Sequence, residues 1–292
     1  MKLLVIIVTY NGSKWLDKCL SSVVNSTVNA DAFIVDNGST DGTVEFIKEN
    51  YPEAKLIVSP ENLGFGKANN IGLKYAIDNN YDYVYLLNQD AWVDNNVFEK
   101  LIDIKKNNPE FGIISPLQIN AEQTKLDLNF NYCCPRVMIS DACCNRLSPL
   151  YEVDKVMAAH WLISRDCILK IGGFSPVFPH YGEDDNFIDR AKFKKIKIGI
   201  ATTVKGVHDR EWRQSTKRHN IYRNKMHILV ILSNPALNKK KRVNDCLKYC
   251  CKAMLSYRSI VPLINMLKLL CRYPQIRSSR INSINPLAFL NK

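Results

Sequence analysis

Apolar residues along the first hundred positions alternate between two periods. The short runs Leu3–Val8, Phe33–Val35, Leu56–Val58 and Tyr83–Leu87 are β-branched or aromatic, and each stops at a polar or glycine-containing turn. That pattern predicts strands. Between them, Trp15, Cys19, Leu20 and Val23 recur at three- and four-residue spacing, as do Val44, Ile47 and Lys48. Ile71, Tyr75 and Ala76 mark a third helix, and Val97, Leu101, Ile102 and Ile104 a fourth. Ser13, Asp41 and Asp94 stand where helix N-caps are expected. Strand–helix alternation with such short connections implies βαβ units and a parallel sheet.

Beyond residue 110 the alternation blurs. Strands are expected at Ile113–Ile119, Val153–Ala158 and Ile196–Ala201, and a helix from about Glu183 to Lys194. Residues 120–150, rich in Asn, Cys and Pro, read as a variable loop or lid. From 213 onward the pattern is helical and basic: Ile221–Leu232, Val243–Leu255 and Ile260–Leu270, punctuated by Pro235 and Pro262. The expected organisation is a unit over 1–212, with halves of about 1–110 and 111–212, followed by a basic helical region over 213–292.

The chain has 292 residues, 46% of them hydrophobic, enough apolar side chain to exclude a disordered protein. No stretch approaches the ~18 apolar residues of a membrane span, and the apolar start lacks a cleavage site. A cytoplasmic protein is the expectation. The formal charge is +12, from 40 Lys and Arg against 28 Asp and Glu. Residues 205–292 hold 19 of those bases and 3 of the acids, so the rest of the chain is mildly acidic. The basic excess describes the tail alone. Its sign admits nucleic acid, anionic lipid or a phosphorylated ligand. Ten cysteines include the adjacent pairs Cys133-Cys134, Cys143-Cys144 and Cys250-Cys251. Adjacent pairs lack the spacing of zinc ligands, and free thiols are the simpler reading.

In open parallel sheets, ligands sit beyond the carboxyl ends of the strands. Here those ends carry Thr9-Tyr10-Asn11, Asp36-Asn37-Gly38-Ser39, Asn62 to Lys67, and Asn88-Gln89-Asp90, all polar or glycine-rich. A carboxylate such as Asp90 at a strand end suits a hard divalent cation, Mg2+ or Mn2+, held against a diphosphate. Asn and Asp are also ordinary turn residues at strand ends.

Taken in order, Val8-Thr9-Tyr10-Asn11, Ile34 to Thr43, Asn62 to Gly72, Leu87-Asn88-Gln89-Asp90, Ile171-Gly172-Gly173-Phe174 and Tyr181-Gly182-Glu183-Asp184 resemble successive signatures of family 2 glycosyltransferases. The likeness is nearest to a rhamnosyltransferase-like branch and covers roughly residues 2–210. It implies an α/β fold of the GT-A (Rossmann-like) type, a mostly parallel twisted sheet flanked by helices. It also implies a nucleotide-diphosphate sugar donor, a divalent cation and inversion at the anomeric carbon. Carried over, Thr9, Tyr10 and Asn11 line the nucleotide pocket, Asp36 contacts base or ribose, and Asn62, Gly64 and Lys67 serve the phosphate region. Asp90 is the main metal ligand, with Asn88 offering a carbonyl on the donor side. Asp184 takes the place of the catalytic base beside Glu183, and Arg190 follows in its usual slot on the acceptor side. The implied acceptor is a cell-surface polysaccharide or lipid-linked saccharide precursor. The donor implied is dTDP-rhamnose, with a UDP-sugar the other candidate.

Two positions depart from the family's pattern: Asn88 stands where many relatives have the first acid of the metal motif, and Asn186 where they have a later acid. A non-catalytic nucleotide-sugar-binding protein is therefore the rival reading. His208 occupies a slot where the family often has a metal-binding histidine, and His160-Trp161 are expected to shape the acceptor side. For the tail, Lys239-Lys240-Lys241-Arg242 with the apolar segment Ile260–Leu270 reads as a basic amphipathic contact with anionic membrane over 236–292, on the cytoplasmic face of the inner membrane. A solvated helical appendage is the plainer alternative. Nucleic acid is excluded because the tail's aromatics form no stacking platform.

Overall fold

A computed structural model describes residues 1–210 and 216–290. The four expected strands form as β1 (Leu3–Thr9), β2 (Ala30–Asp36), β3 (Lys55–Val58) and β4 (Tyr83–Asn88). They are connected by α1 (Ser13–Val24), α2 (Thr43–Asn50) and α3 (Phe65–Asp78), the last crossing over to set β4 beside β1. These strands lie in the order β3-β2-β1-β4, all parallel. The near-continuous apolar run of β1 follows from burial on both faces. Leu3, Val5 and Ile7 face a core shared with α1 and with α4 (Val97–Asn107). Leu4 and Ile6 face the opposite core, against α3. Packing there is close enough that a Cβ at Gly72 would lie 2.7 Å from the Ile6 side chain.

The second half of the sheet is mixed. It contains β5 (Ala91–Val93), β6 (Phe111–Ile119), β7 (Leu150–Glu152), β8 (His160–Ser164) and β9 (Lys197–His208). The full order is β3-β2-β1-β4-β8-β6-β9-β5, with β7 also on β9. Only β6 and β9 run parallel in this half; the β4–β8, β6–β8, β5–β9 and β7–β9 ladders are antiparallel. The register of β6 slips between Pro116 and Leu117, where proline removes a ladder donor. The strand expected at Val153–Ala158 does not form. Val153, Val156 and Ala158 are nonetheless buried, so the apolar run there records burial of a loop rather than a period-2 strand. Residues 120–150 hold a short helical turn and α5 (Arg136–Cys143).

Two helices bring the later motifs to the sheet: α6 (Arg165–Ile171) and α7 (Glu183–Phe193), both packed on the α3 side. The chain then continues through α8 (Lys217–Ser233), α9 (Lys239–Tyr257), α10 (Val261–Cys271) and α11 (Tyr273–Asn282), which surround an apolar cluster of their own together with Val177 and Phe178. The expected boundary at 212/213 lies outside the described residues. No helix among them is long and apolar enough to cross a membrane.

The chain's last described turn returns to the α6–α7 connection. Gly173 donates its N–H to Ala288, and Leu287 donates to Leu169. Gly172 has φ +75° there, and a Cβ on it would lie 2.0 Å from the Ala288 carbonyl. Backbone cannot swing aside as a side chain can, so Gly172→Ala adds a clash to the ~1–2 kcal/mol left-handed penalty. The expected result is a Tm lowered by several degrees in a thermal melt, with Gly42→Ala, where the added Cβ meets open space, losing less.

Candidate active site

Strands β1 and β4 end side by side, Val8 opposite Asn88, and the chain leaves them in different directions. This is the topological switch point at which open sheets bind ligands. Gln89 fastens the two ends together. The Tyr10 N–H donates to its Oε1 at 2.8 Å and its Nε2 donates to the Tyr10 carbonyl at 3.2 Å. Gly12 leaves the room this needs, since a Cβ there would lie 2.2 Å from Gln89 Oε1. Asn11 sits at φ 47°, donating its N–H to Ser39 Oγ and accepting from the Thr40 N–H. Its neighbour Tyr10 is exposed.

Asp36 differs from its expected role. It is fully buried, with Oδ1 accepting the Gly38 and Ser39 N–H groups and Oδ2 accepting the Thr9 and Ser39 hydroxyls. Its carboxylate is committed to shaping the loop, and Thr9 is spent with it; neither presents a free side chain to a base or ribose. At the start of α3 the Asn62 side chain accepts the Gly64 N–H, and Gly64, at φ +79°, lies close to the Pro179 carbonyl. Lys67 is exposed in the first turn of this helix, where unpaired backbone N–H groups favour an anion.

Asp90 and His208 are brought together by the antiparallel β5–β9 ladder, which sets Ala91 opposite His208. His208 Nε2 lies 3.5 Å from Asp90 Oδ1, and His208 Nδ1 lies 3.6 Å from Asp127 Oδ2. Burial would raise the Asp90 pKa, but the hydrogen bond and charge of His208 hold it below the ordinary carboxylate value. His208 is buried and its Nδ1 has no hydrogen-bond partner, so that atom is aimed at Asp127. A carboxylate behind a histidine whose other nitrogen faces a second carboxylate is the arrangement that orients a metal-binding imidazole. Asp90 and His208 therefore fit a hard divalent cation as two of its ligands. Among the described residues no group of three or more such side chains holds one alone. The ten cysteines are free.

At the start of α7, Glu183 is buried and its Oε2 has no hydrogen-bond partner. Its Cβ lies 3.6 Å from a Cβ built on Gly66, which places it against the start of α3. Burial, and then the neighbouring Asp184, push its pKa up to about 7. Asp184 is half-buried, and burial followed by repulsion from Asp185 raises its pKa as well. The three acids also sit at a helix N-terminus, which tempers their mutual repulsion. Tyr222 of α8 stands near Glu183, whose charge contributes to raising its pKa after burial. Helix α8 thus supplies one side of this acidic corner.

Three expected acceptor-side residues prove to be internal. His160 is fully buried, donating from Nε2 to the Val207 carbonyl at 3.0 Å and accepting from Tyr85 OH on Nδ1 at 2.9 Å, assuming the tautomer this network requires. Burial lowers its pKa to about 3, so it is a neutral spacer beneath β9. Trp161 has no exposed surface and packs against Phe174 and Phe187, which also touch each other. Arg190 is buried too. It donates to the carbonyls of Ile171 and Gly173 and to Asn186 Oδ1, with its guanidinium between the rings of Phe187 and Phe289. Each was read from position after a strand or inside a motif, which does not distinguish a lining residue from one turned inward.

Sequence reasoning missed Gln89, Asp127 and Asn70. Gln89 stands between Asn88 and Asp90, the motif positions with an expected role, and Asp127 meets His208 only through the tertiary fold. Asn70 pairs with both backbone groups of Phe174, accepting its N–H and donating to its carbonyl, and so ties α3 to the glycine turn after α6.

Residues 4–134 match the family model described as glycosyl transferase family 2. The chain is 24% identical over 213 residues to the low-salt glycan biosynthesis hexosyltransferase Agl10 of Haloferax volcanii, covering 70% of this chain and 66% of that one. It is 31% identical over 125 residues to the N-acetylglucosaminyl-diphospho-decaprenol L-rhamnosyltransferase of Mycobacterium tuberculosis, covering 39% and 40%. Against glycosyltransferase GlyA of Streptococcus pneumoniae it is 34% identical over 34% of this chain, and spans only 14% of that protein. Among solved structures, S. aureus TarS 1–349 in complex with UDP matches 97% of this chain and 81% of that one at a TM-score of 0.58 and 15% identity, a likeness of fold.

Proposed function

We propose that this chain, whose residues 4–134 match the glycosyl transferase family 2 model and whose fold is of the GT-A type, is an inverting glycosyltransferase. It moves a sugar from a nucleotide-diphosphate donor to a hydroxyl of a polysaccharide or lipid-linked saccharide precursor. The observation that carries this reading is the acidic corner of α7: a half-buried Asp184 beside a buried Glu183, both with raised pKa, against the start of α3. An acceptor hydroxyl is a poor nucleophile at neutral pH, and a positioned carboxylate contributes on the order of 10²–10⁴-fold. Asp184 accepts the hydroxyl proton as the acceptor oxygen bonds to the anomeric carbon. The bond from that carbon to the diphosphate breaks, and its electron pair leaves with the phosphate. One displacement inverts the centre and needs one base. Glu183, holding its proton up to about pH 7, leaves Asp184 as the charged partner of the pair.

On the donor side Tyr10, Asn11, Asn62, Gly64, Lys67 and Asn88 surround the nucleotide and its phosphates, with Asp36 and Thr9 shaping the loop behind them. Asp90 and His208 are the residues that would hold Mg2+ or Mn2+. Such a cation neutralises charge on the leaving diphosphate. Residues 1–212 serve as the catalytic unit, and helix α8 completes its acidic corner. The donor proposed is dTDP-rhamnose, with a UDP-sugar next; one similar protein is an L-rhamnosyltransferase, and TarS is solved with UDP.

Thermal-shift titration of dTDP-rhamnose and UDP-sugars, with and without Mn2+, tests this reading together with product analysis of donor turnover. A Mn2+-dependent rise in Tm with one donor is expected. Asp90→Ala should raise the Mn2+ concentration needed for half the shift by about tenfold to a hundredfold. Donor binding with no turnover on any acceptor would favour a non-catalytic binding protein instead.

A further inference from the structure

Helix α10 leaves an apolar surface uncovered among the described residues. Helix α10 buries Pro262, Met266 and Leu269 against α8 and α9, the face that joins it to the protein. Its other side is apolar as well. Ile260, Ile264 and Leu267 follow one another at helical spacing and are 61%, 41% and 51% exposed. Leu270 extends this face, and Leu255, at the α9–α10 corner, is 80% exposed. A helix apolar on both sides has one partner inside the fold and lacks the other.

The charge around this face identifies the partner. After Asp245 the chain contains no Asp or Glu, while it carries eight Lys and Arg, among them Lys252, Arg258, Lys268 and Arg272 around α10. Lys252, Arg258, Lys268 and Arg272 are exposed. Two copies of such a surface would bring like charges together without a compensating acid, which disfavours self-association. Water disfavours the apolar side chains. An anionic lipid surface satisfies both, since aliphatic groups enter the acyl boundary while the bases meet the headgroups. We propose that the outward face of α10, with the Leu255 corner, docks the protein on an anionic bilayer, with Ile264 and Leu267 inserted and Lys268 and Arg272 at headgroup level.

Docking needs only the C-terminal helices and is measured without turnover, so its failure leaves the proposed transfer reaction standing, and failure of the reaction leaves the docking standing. The full chain is sedimented with sucrose-loaded vesicles of phosphatidylcholine alone or with 40 mol% phosphatidylglycerol. Binding is expected on the anionic vesicles and about tenfold or more weaker on the neutral ones. The double variant Ile264→Glu, Leu267→Glu should lose about tenfold or more on anionic vesicles with an unchanged melting curve, because both side chains lie outside the core. Lys268→Glu, Arg272→Glu should lose affinity for anionic vesicles, and high salt should weaken the parent likewise. The proposal is overturned if the parent stays in the supernatant, or if the Ile264→Glu, Leu267→Glu protein sediments like the parent. It is also overturned if sedimentation equilibrium without lipid shows a dimer that this variant dissolves, which would make a second copy the occupant.

Discussion

Asp184→Asn is expected to reduce turnover by about 10²–10⁴-fold while leaving donor affinity within about twofold. The amide keeps the size and one hydrogen-bond acceptor of the carboxylate but takes no proton at any working pH. Loss confined to kcat with the donor dissociation constant retained is the signature of a group used at the reacting hydroxyl. The pH profile gives an independent readout. A base acts when deprotonated, so kcat/KM should climb with pH through the Asp184 pKa. Burial, and then Asp185, lift that pKa above the ordinary carboxylate range. Asp185→Asn removes the like charge and should move the rising limb toward acid, with the activity at its plateau little changed. Activity of Asp184→Asn above a tenth of the parent's, or a limb that does not shift in Asp185→Asn, would remove Asp184 as the base.

The half of the fold that places the donor-side residues was legible from periodicity. Short β-branched runs ending at polar turns became β1 to β4, because strands buried on both faces leave a continuous apolar trace and their carboxyl ends must carry the ligand groups. The antiparallel half was harder to read. β5 and β7 are three residues each, too short to carry a period, and β8 is buried at all five positions, polar His160 and Ser164 included, so it shows no alternation. Within the site, the pairing of Asp90 with His208 depends on β5 folding back on β9. Motif spacing placed both residues near the phosphates, but only the tertiary fold shows Asp127 behind the imidazole. His160, Trp161 and Arg190 misled for the opposite reason. A polar or aromatic residue in a motif is as often a strut as a contact, and one sequence does not record which way it turns. Asn186 shows the distinction well. As a replaced acid it suggested a weakened site, whereas in the structure its side-chain oxygen accepts from Arg190 Nε.

That contact leads to the largest stability effect expected in the molecule. Arg190 is a buried cation whose described partners are carbonyls: Ile171, Gly173 and the Asn186 amide. Burial lowers its pKa to about 9, so it remains charged at neutral pH. An arginine fork meets two carbonyls of one glycine turn in a geometry that the single ammonium of lysine does not reproduce. Arg190→Met keeps the apolar packing between Phe187 and Phe289 but leaves the two backbone carbonyls unpaired in the interior. With charged hydrogen bonds worth about 1.5–3 kcal/mol each, the loss should reach about 3–5 kcal/mol, a Tm lower by roughly 6–15 °C. Arg190→Lys should recover only part of it. The turn held by Arg190 is the one that Asn70 ties to α3, so loosening it also loosens the donor-side helix start. Donor affinity in Arg190→Met should therefore fall at temperatures where the protein is still folded. A melting curve within 1 °C of the parent's would show that the clamp contributes nothing, and the internal placement of Arg190 would then need another explanation.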